Sequence, residues 1–169
     1  MSSPDRFADL KRFEGVVPHL YKDTKGIITA GVGFALRSVR EAQLLSWDLP
    51  GQVRLDWIEV SAAPAGKLPA FYAKMTRARL STDAIDRELV KRVGGLPTWA
   101  LALPAPAQLA LQDIKYNTGN VDADKWPKMV AAIRAGDWAT AARESRRPDV
   151  SKERNAWTAA QLRAAGGLP

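Results

Sequence analysis

The chain has 169 residues and a formal net charge of +7; 46% of its residues are hydrophobic and 25% are charged. This length and composition predict one soluble globular domain. The absence of cysteine excludes disulfides and thiol chemistry, and a single histidine argues against a histidine-based metal centre, so no metal and no cofactor is expected. No apolar run approaches the length of a membrane span, and the first residues lack the apolar core of a signal peptide.

The basic residues are dispersed, with one group in segment 77–92 and another in segment 143–154, and acidic residues interrupt both segments. An excess of positive charge favours polyanionic partners. The dispersed arrangement is typical of a solvated surface with a general attraction to anions, rather than of a dedicated nucleic-acid site. We expect a monomer without a stable membrane anchor.

The N-terminal segment predicts a helix over residues 4–14. Residues 3–5 supply an N-cap hydroxyl, a first-turn proline and an acid at the positive end of the helix dipole. Gly15 is a natural residue to end the helix. Phe7 and Leu10 share a face with Glu14, so Glu14 should lie where the apolar side of the helix meets the core.

A β-hairpin should follow the first helix. Strands are predicted at residues 21–23 and 27–34, on either side of a three-residue loop that ends in glycine. In this register Tyr21 opposes Thr29. Because side chains alternate along a strand, Asp23 should lie on the same face as these two residues.

The middle of the chain carries weaker signals. Residues 38–47 predict a short helix, and residues 69–79 predict another. The stretch 50–69 is rich in proline, glycine and alanine, which indicates an irregular excursion containing a short strand at residues 53–60.

The second half of the chain is predicted to be helical. Ser81 caps a helix that continues to Val93. Further helices are expected over residues 106–116, 126–135, from Asp137 onward, and 151–164. The expected fold class is therefore α+β and predominantly α-helical, in a single domain over residues 1–169.

Glu14, Asp23 and Thr29 carry the clearest chemical signal, with the spacing Glu-x8-Asp-x5-Thr. This spacing places an acid, a second carboxylate and a hydroxyl around the predicted hairpin. Hydrolysis of a glycosidic bond requires two carboxyl groups held at a fixed separation.

Residues 14–33 resemble the catalytic segment of the phage-type lysozymes, the family that includes the T-even phage lysozyme. The shared features are Glu-Gly at 14–15, Tyr-Lys-Asp-Thr-x-Gly at 21–26 and Thr-x-Gly-x-Gly at 29–33. Weaker likeness extends over residues 108–119 and 128–155, whereas about residues 50–80 are not matched to the family.

The resemblance implies a two-lobed lysozyme-like fold. The small lobe would span about residues 15–80, and the helix at 81–93 would link it to a helical lobe. That second lobe would comprise residues 104–165 together with the N-terminal helix 4–14. The substrate cleft would lie between the lobes.

The implied activity is that of a muramidase, which cleaves the β-1,4 bond between N-acetylmuramic acid and N-acetylglucosamine in peptidoglycan. Glu14 would protonate the leaving oxygen, while Asp23 and Thr29 would hold the attacking water in an inverting mechanism. The substrate-binding positions carried over with this assignment are Tyr21, Gly33, Phe34, Ala35, Tyr116 and Asn117.

Phe34 departs from the family pattern, because relatives often have a structural histidine at this place, held by an ion pair. The substitution predicts that apolar packing replaces the ion pair. The expected consequence is a change in the fine geometry of the site that leaves the acid in place.

The implied biological role is that of a phage or prophage endolysin. It would stay in the host cytoplasm until a holin or another route releases it, and would then reach the periplasm and the cell wall. The positive charge would favour binding to the anionic bacterial envelope.

Three alternatives stay open. The first is a lytic transglycosylase that acts on the same substrate with one acid. The second is a lysozyme module of a phage tail or of a secreted antibacterial effector. The third is a catalytically inactive protein that binds the wall or nucleic acid.

Overall fold

The structure is a computed structural model, and it describes residues 7–169. Over this range the fold is α+β and predominantly helical, with one small antiparallel sheet, as the sequence predicted. The chain divides into two compact units, Met1–Lys91 and Arg92–Pro169. The assignment of a single two-lobed domain stays a prediction. Within residues 7–169 no helix is both long and apolar enough to cross a membrane.

The first unit contains the sheet and several short helices. Its elements are α1 (Ala8–Glu14), β1 (Val17–Lys22), β2 (Ile28–Gly31), β3 (Phe34–Leu36), α2 (Val39–Gln43), a 3-10 turn (Pro50–Gln52), α3 (Val53–Ala62) and α4 (Pro69–Ala73). The helix α5 (Thr82–Val93) crosses the boundary between the two units.

The second unit is built from helices. Its elements are a 3-10 turn (Thr98–Ala100), α6 (Ala105–Thr118), α7 (Pro127–Arg134), α8 (Trp138–Glu144) and α9 (Lys152–Ala165). The predicted caps are present, because Asp137 accepts a hydrogen bond from the Thr140 amide and Ser151 accepts one from the Arg154 amide. Apolar side chains of α6 to α9 form the core of this unit.

The sheet has the strand order β1-β2-β3, with both pairs antiparallel. The predicted pairing of Tyr21 with Thr29 is confirmed. The predicted single strand 27–34 is wrong: β2 ends at Gly31, and a tight turn leads into β3. Gly31 and Gly33 both have positive φ, of 62° and 72°, which reverses the chain where a continuous strand was expected.

Residues 53–60 form most of α3, so the predicted strand in an irregular excursion is wrong. Three residues at helical spacing, Val53, Asp56 and Val60, are buried on one side of this helix. Pro50 opens the 3-10 turn that leads into it. In the sequence, the mixed apolar and polar residues of this segment fit neither the strand period nor the helix period clearly. In the structure, the buried residues recur with the 3.6-residue period of a helix.

Three other helices differ in extent from the predictions. α2 ends at Gln43, although the sequence predicted a helix to residue 47. Trp47 instead forms an isolated β-bridge with Leu80. α4 ends at Ala73 instead of residue 79. In α1 the first helical residue is Ala8, and the predicted start at residues 3–5 lies outside the described part of the chain.

A buried ionic cluster links α6 to α9 and to the loop between α8 and α9. Arg147 donates to Asp113 Oδ2 at 2.7 Å, and Arg154 donates through Nε to Asp113 Oδ1 at 2.8 Å. The Thr158 hydroxyl lies 3.1 Å from the same carboxylate. All four side chains are buried, so one carboxylate partly compensates two guanidinium charges inside the second unit.

Candidate active site in the first unit

Glu14 is the last residue of α1 and is half-buried. Gly15 follows with φ 74° and ψ 165°, a conformation that turns the chain out of the helix toward β1. Buried Leu10 anchors α1 in the unit, and Lys11 forms an ion pair of 2.5 Å with Asp86 of α5. These contacts anchor the helix, and its predicted end at Glu14 is confirmed.

Asp23 follows directly after β1, and the hairpin turn holds it in place. Its Oδ1 accepts hydrogen bonds from the backbone amides of Lys25 at 2.9 Å and Ile27 at 2.8 Å. Its own amide donates to the Ile27 carbonyl. Within residues 7–169 no group bonds to Oδ2, so one oxygen of this half-buried carboxylate can accept a hydrogen bond from a ligand or water.

Thr29 lies in the middle strand and is 4% exposed. Its hydroxyl donates to the Ile27 carbonyl at 3.1 Å. Because the hydroxyl proton is used in this bond, the oxygen lone pairs remain as acceptors.

The phenol of Tyr21 is influenced by the charges of two carboxyl groups. The pKa of Tyr21 is raised above its usual value, first by burial of the phenol and then by the negative charges of Asp23 and Glu14. Both carboxylates therefore lie close enough to the phenol to act on it electrostatically. Tyr21 also pairs with Thr29 across the sheet.

Tyr21, Thr29 and Ala35 form a row across one face of the sheet. Thr29 pairs with Tyr21 of β1 and with Ala35 of β3. Directly opposite residues in an antiparallel sheet point to the same face. Ala35 is exposed, so the predicted sugar-binding positions Tyr21 and Ala35 flank Thr29 on one surface.

Phe34 and Gly33 support this surface in different ways. Phe34 is fully buried, and its ring lies against Gly31, which agrees with the expected apolar packing. A buried ring offers no surface to a sugar, so its influence on the site is indirect, through the position of β3. Gly33 is half-buried in the turn before β3.

The helix α3 braces the hairpin, a contribution that the sequence did not reveal. Lys22 donates to the Ser61 carbonyl at 2.8 Å and to the Ala63 carbonyl at 2.7 Å, at the C-terminal end of α3. The Gly66 amide donates to the Asp23 carbonyl. Cations are favoured at the negative end of a helix dipole, so Lys22 is a positioning residue beside Asp23. In the sequence, the only sign of this role was the place of Lys22 in the Tyr-Lys-Asp-Thr motif.

Tyr116 and Asn117 belong to the second unit, near the C-terminal end of α6. The Tyr116 side chain is half-buried, and Asn117 is exposed. Their assignment to the substrate site stays a prediction from the resemblance.

Possible metal ligands do not cluster in the described part of the chain, where no group of three or more histidine, aspartate or glutamate residues could hold an ion. Comparison with known protein families and with curated proteins gives no match for this chain. The likeness to phage-type lysozymes therefore rests on the sequence motifs alone.

Proposed function

We propose that this protein is a muramidase that hydrolyses the β-1,4 bond between N-acetylmuramic acid and N-acetylglucosamine. The observation that carries the proposal is the geometry of the hairpin, in which two turn amides fix Asp23 with Oδ2 left to accept, and Thr29 pairs with Tyr21. Two carboxyl groups and an acceptor hydroxyl in this segment of the chain supply the groups that this hydrolysis requires.

Glu14 supplies the proton that the leaving group takes up. Protonated Glu14 donates to the glycosidic oxygen as the bond from the anomeric carbon to that oxygen breaks. The hydroxyl of the leaving sugar carries this proton away. Glu14 is left as a carboxylate and regains a proton from solvent before the next cycle.

The attacking water lies between Asp23 and Thr29. Oδ2 of Asp23 and the lone pairs of Thr29 accept hydrogen bonds from the water and aim its oxygen at the anomeric carbon. As the new carbon–oxygen bond forms, Asp23 accepts the water's proton. The water attacks the face opposite the leaving group, so the anomeric configuration inverts.

The proposed biological role is that of a phage or prophage endolysin in host lysis. The enzyme would accumulate in the host cytoplasm and reach the periplasm after holin-dependent or other release. A net charge of +7 would attract it to the anionic envelope, where peptidoglycan is its substrate.

Mass spectrometry of purified peptidoglycan digested by the protein tests this function. We expect fragments that end in reducing N-acetylmuramic acid and have gained one water for each bond cleaved. Fragments that end only in anhydromuramic acid would identify a lytic transglycosylase instead. Undigested peptidoglycan would contradict both enzymatic assignments.

A further inference from the structure

The loop between α3 and α4 lies against the hairpin that carries Asp23. It comprises residues 63–68, of which Ala63 is half-buried and the other five are exposed. Because such a loop buries little surface of its own, polar contacts to its neighbours decide how firmly it is held. We refer to it as the α3–α4 loop.

One side of the α3–α4 loop is bonded to the backbone and side chain next to the proposed base. Lys22 donates to the Ala63 carbonyl at 2.7 Å, and the Gly66 amide donates to the Asp23 carbonyl at 3.3 Å. Successive side chains of a strand point to opposite faces, so Lys22 points away from the face of Tyr21. The loop therefore supports the end of β1 from behind.

The other side of the α3–α4 loop is bonded to the core of the first unit through Tyr72 of α4. The Tyr72 side chain is fully buried, and its hydroxyl donates to the Pro64 carbonyl at 2.6 Å. Pro64 lies between Ala63 and Gly66, the two residues through which the loop meets the hairpin. The hydroxyl thus holds the loop at the place where the loop holds the hairpin.

The position of the Asp23 carboxylate depends on this backbone. Its Oδ1 accepts from the amides of Lys25 and Ile27, while its main-chain carbonyl accepts from Gly66. A displaced loop would shift the Asp23 backbone and lengthen the bonds to Oδ1. In the proposed mechanism Oδ2 aims the attacking water, and a misplacement of about 1 Å at a reacting group can slow a reaction by about 100-fold.

We propose that Tyr72 is a positioning residue for the hydrolysis, because its hydroxyl holds the α3–α4 loop and the loop fixes the backbone that carries Asp23. This inference rests on the proposed muramidase function. Tyr72 is fully buried, so it contacts no substrate and acts through the Pro64 carbonyl.

Steady-state kinetics of Tyr72→Phe on soluble, peptide-free glycan strands test the proposal. The variant keeps the buried ring and removes only the hydroxyl. We expect kcat to fall about tenfold, because Asp23 holds the water less well, and KM to change less than about twofold, because no contact with the sugar is lost. A hydroxyl that serves stability alone would leave the kcat of the folded enzyme unchanged.

Thr76→Val is the matched control, because it also removes a buried hydroxyl that donates to a backbone carbonyl of the first unit. The partners of this hydroxyl, the Tyr72 carbonyl at 3.0 Å and the Arg79 guanidinium, lie outside the loop and the hairpin. At a temperature where all three proteins are folded, the control should have the kcat of the parent. An unchanged kcat in Tyr72→Phe, or an equal loss in both variants, would overturn the inference.

Hydrogen exchange of the Ile27 amide, followed by NMR, reports on Asp23 without any catalysis, because this amide donates to Oδ1. We expect exchange to be about fivefold faster in Tyr72→Phe than in the parent, and unchanged in Thr76→Val. The same exchange rate in Tyr72→Phe and the parent would contradict the hold of the loop on Asp23 and overturn the inference.

The two measurements separate this inference from the proposed function. Cleavage of glycan by the parent, with no response of kcat or of exchange to Tyr72→Phe, overturns the positioning role and leaves the muramidase proposal standing. Faster exchange at Ile27 in Tyr72→Phe, in a protein that cleaves no glycan, supports the hold of the loop on Asp23 and overturns the muramidase proposal.

Discussion

Gly31 combines a special backbone conformation with close packing at the end of β2. Its φ is 62°, and a β-carbon at this position would overlap the ring of Phe34. Both features oppose any larger residue. Gly31 thus sets the turn that brings Ala35 beside Thr29.

Gly31→Ala should lower the free energy of unfolding by about 2–3 kcal/mol, because left-handed strain and overpacking add. Chemical denaturation of the variant and the parent measures this change. Gly51→Ala is the control, since no atom lies within 4 Å of a β-carbon there and φ is not positive. Equal losses in the two variants would contradict the packing argument.

His19 is a buried residue of β1 whose role is structural. Its Nε2 donates to the Pro69 carbonyl at 2.9 Å, which joins the strand to α4. The pKa of His19 is lowered from 6.5, mainly by burial and further by the charge of Arg79, while the bond to Pro69 opposes the shift. The folded protein therefore binds a proton at this position less tightly than the unfolded chain does.

Because the folded-state pKa is depressed, the stability linked to His19 is fully present above pH 6.5 and is lost as the pH falls through and below that value. His19→Gln should remove this part of the pH dependence. Unfolding free energies of both proteins between about pH 5 and pH 8 measure it. A parallel pH dependence in the two proteins would contradict the assignment.

The helix α3 illustrates where sequence reasoning failed at the scale of an element. The hairpin was predictable in register, because Gly26 and the flanking Tyr21 and Thr29 form a local turn pattern. The helix α3 was not predictable, because its buried face includes Asp56, and aspartate is rarely buried without partners. Two of those partners are backbone amides more than twenty positions away in the chain, and no local pattern identifies them.

The same limit applies to the link between α6 and α9. Apolar periodicity predicted both helices, and serine and aspartate caps predicted where helices begin. The pairing of Asp113 with Arg147 and Arg154 joins positions 34 and 41 residues apart. Such contacts become apparent only once the helices are packed.

Asp113→Asn should destabilise the second unit by about 3–5 kcal/mol, because two buried guanidinium groups would lose the carboxylate that compensates them. Thermal and chemical unfolding followed by circular dichroism measure the loss. Asp124→Asn, at an exposed loop position, is the control and should change stability little. A loss no larger than that of the control would show that the cluster contributes little to stability.

At the scale of the whole molecule, the Glu-x8-Asp-x5-Thr motif predicted more about a candidate site than composition did. The spacing of Glu14, Asp23 and Thr29 predicted that these residues share one site; all three lie in the first unit, and their assignment as a site stays a prediction. Composition and charge predicted only a globular chain attracted to anions. The open pocket between residues 52–59 and 74–77 had no sequence signal, because its two walls are separated along the chain.

Clearing of permeabilised Gram-negative cells tests the central claim most directly, with the parent compared with Glu14→Gln. Loss of the proton donor should slow clearing by at least about 100-fold, while the melting temperature stays close to that of the parent. Glu144→Gln, which changes an acid at the end of α8 in the second unit, should clear at the parental rate. Clearing by Glu14→Gln as fast as by the parent would contradict the role of Glu14 as the proton donor.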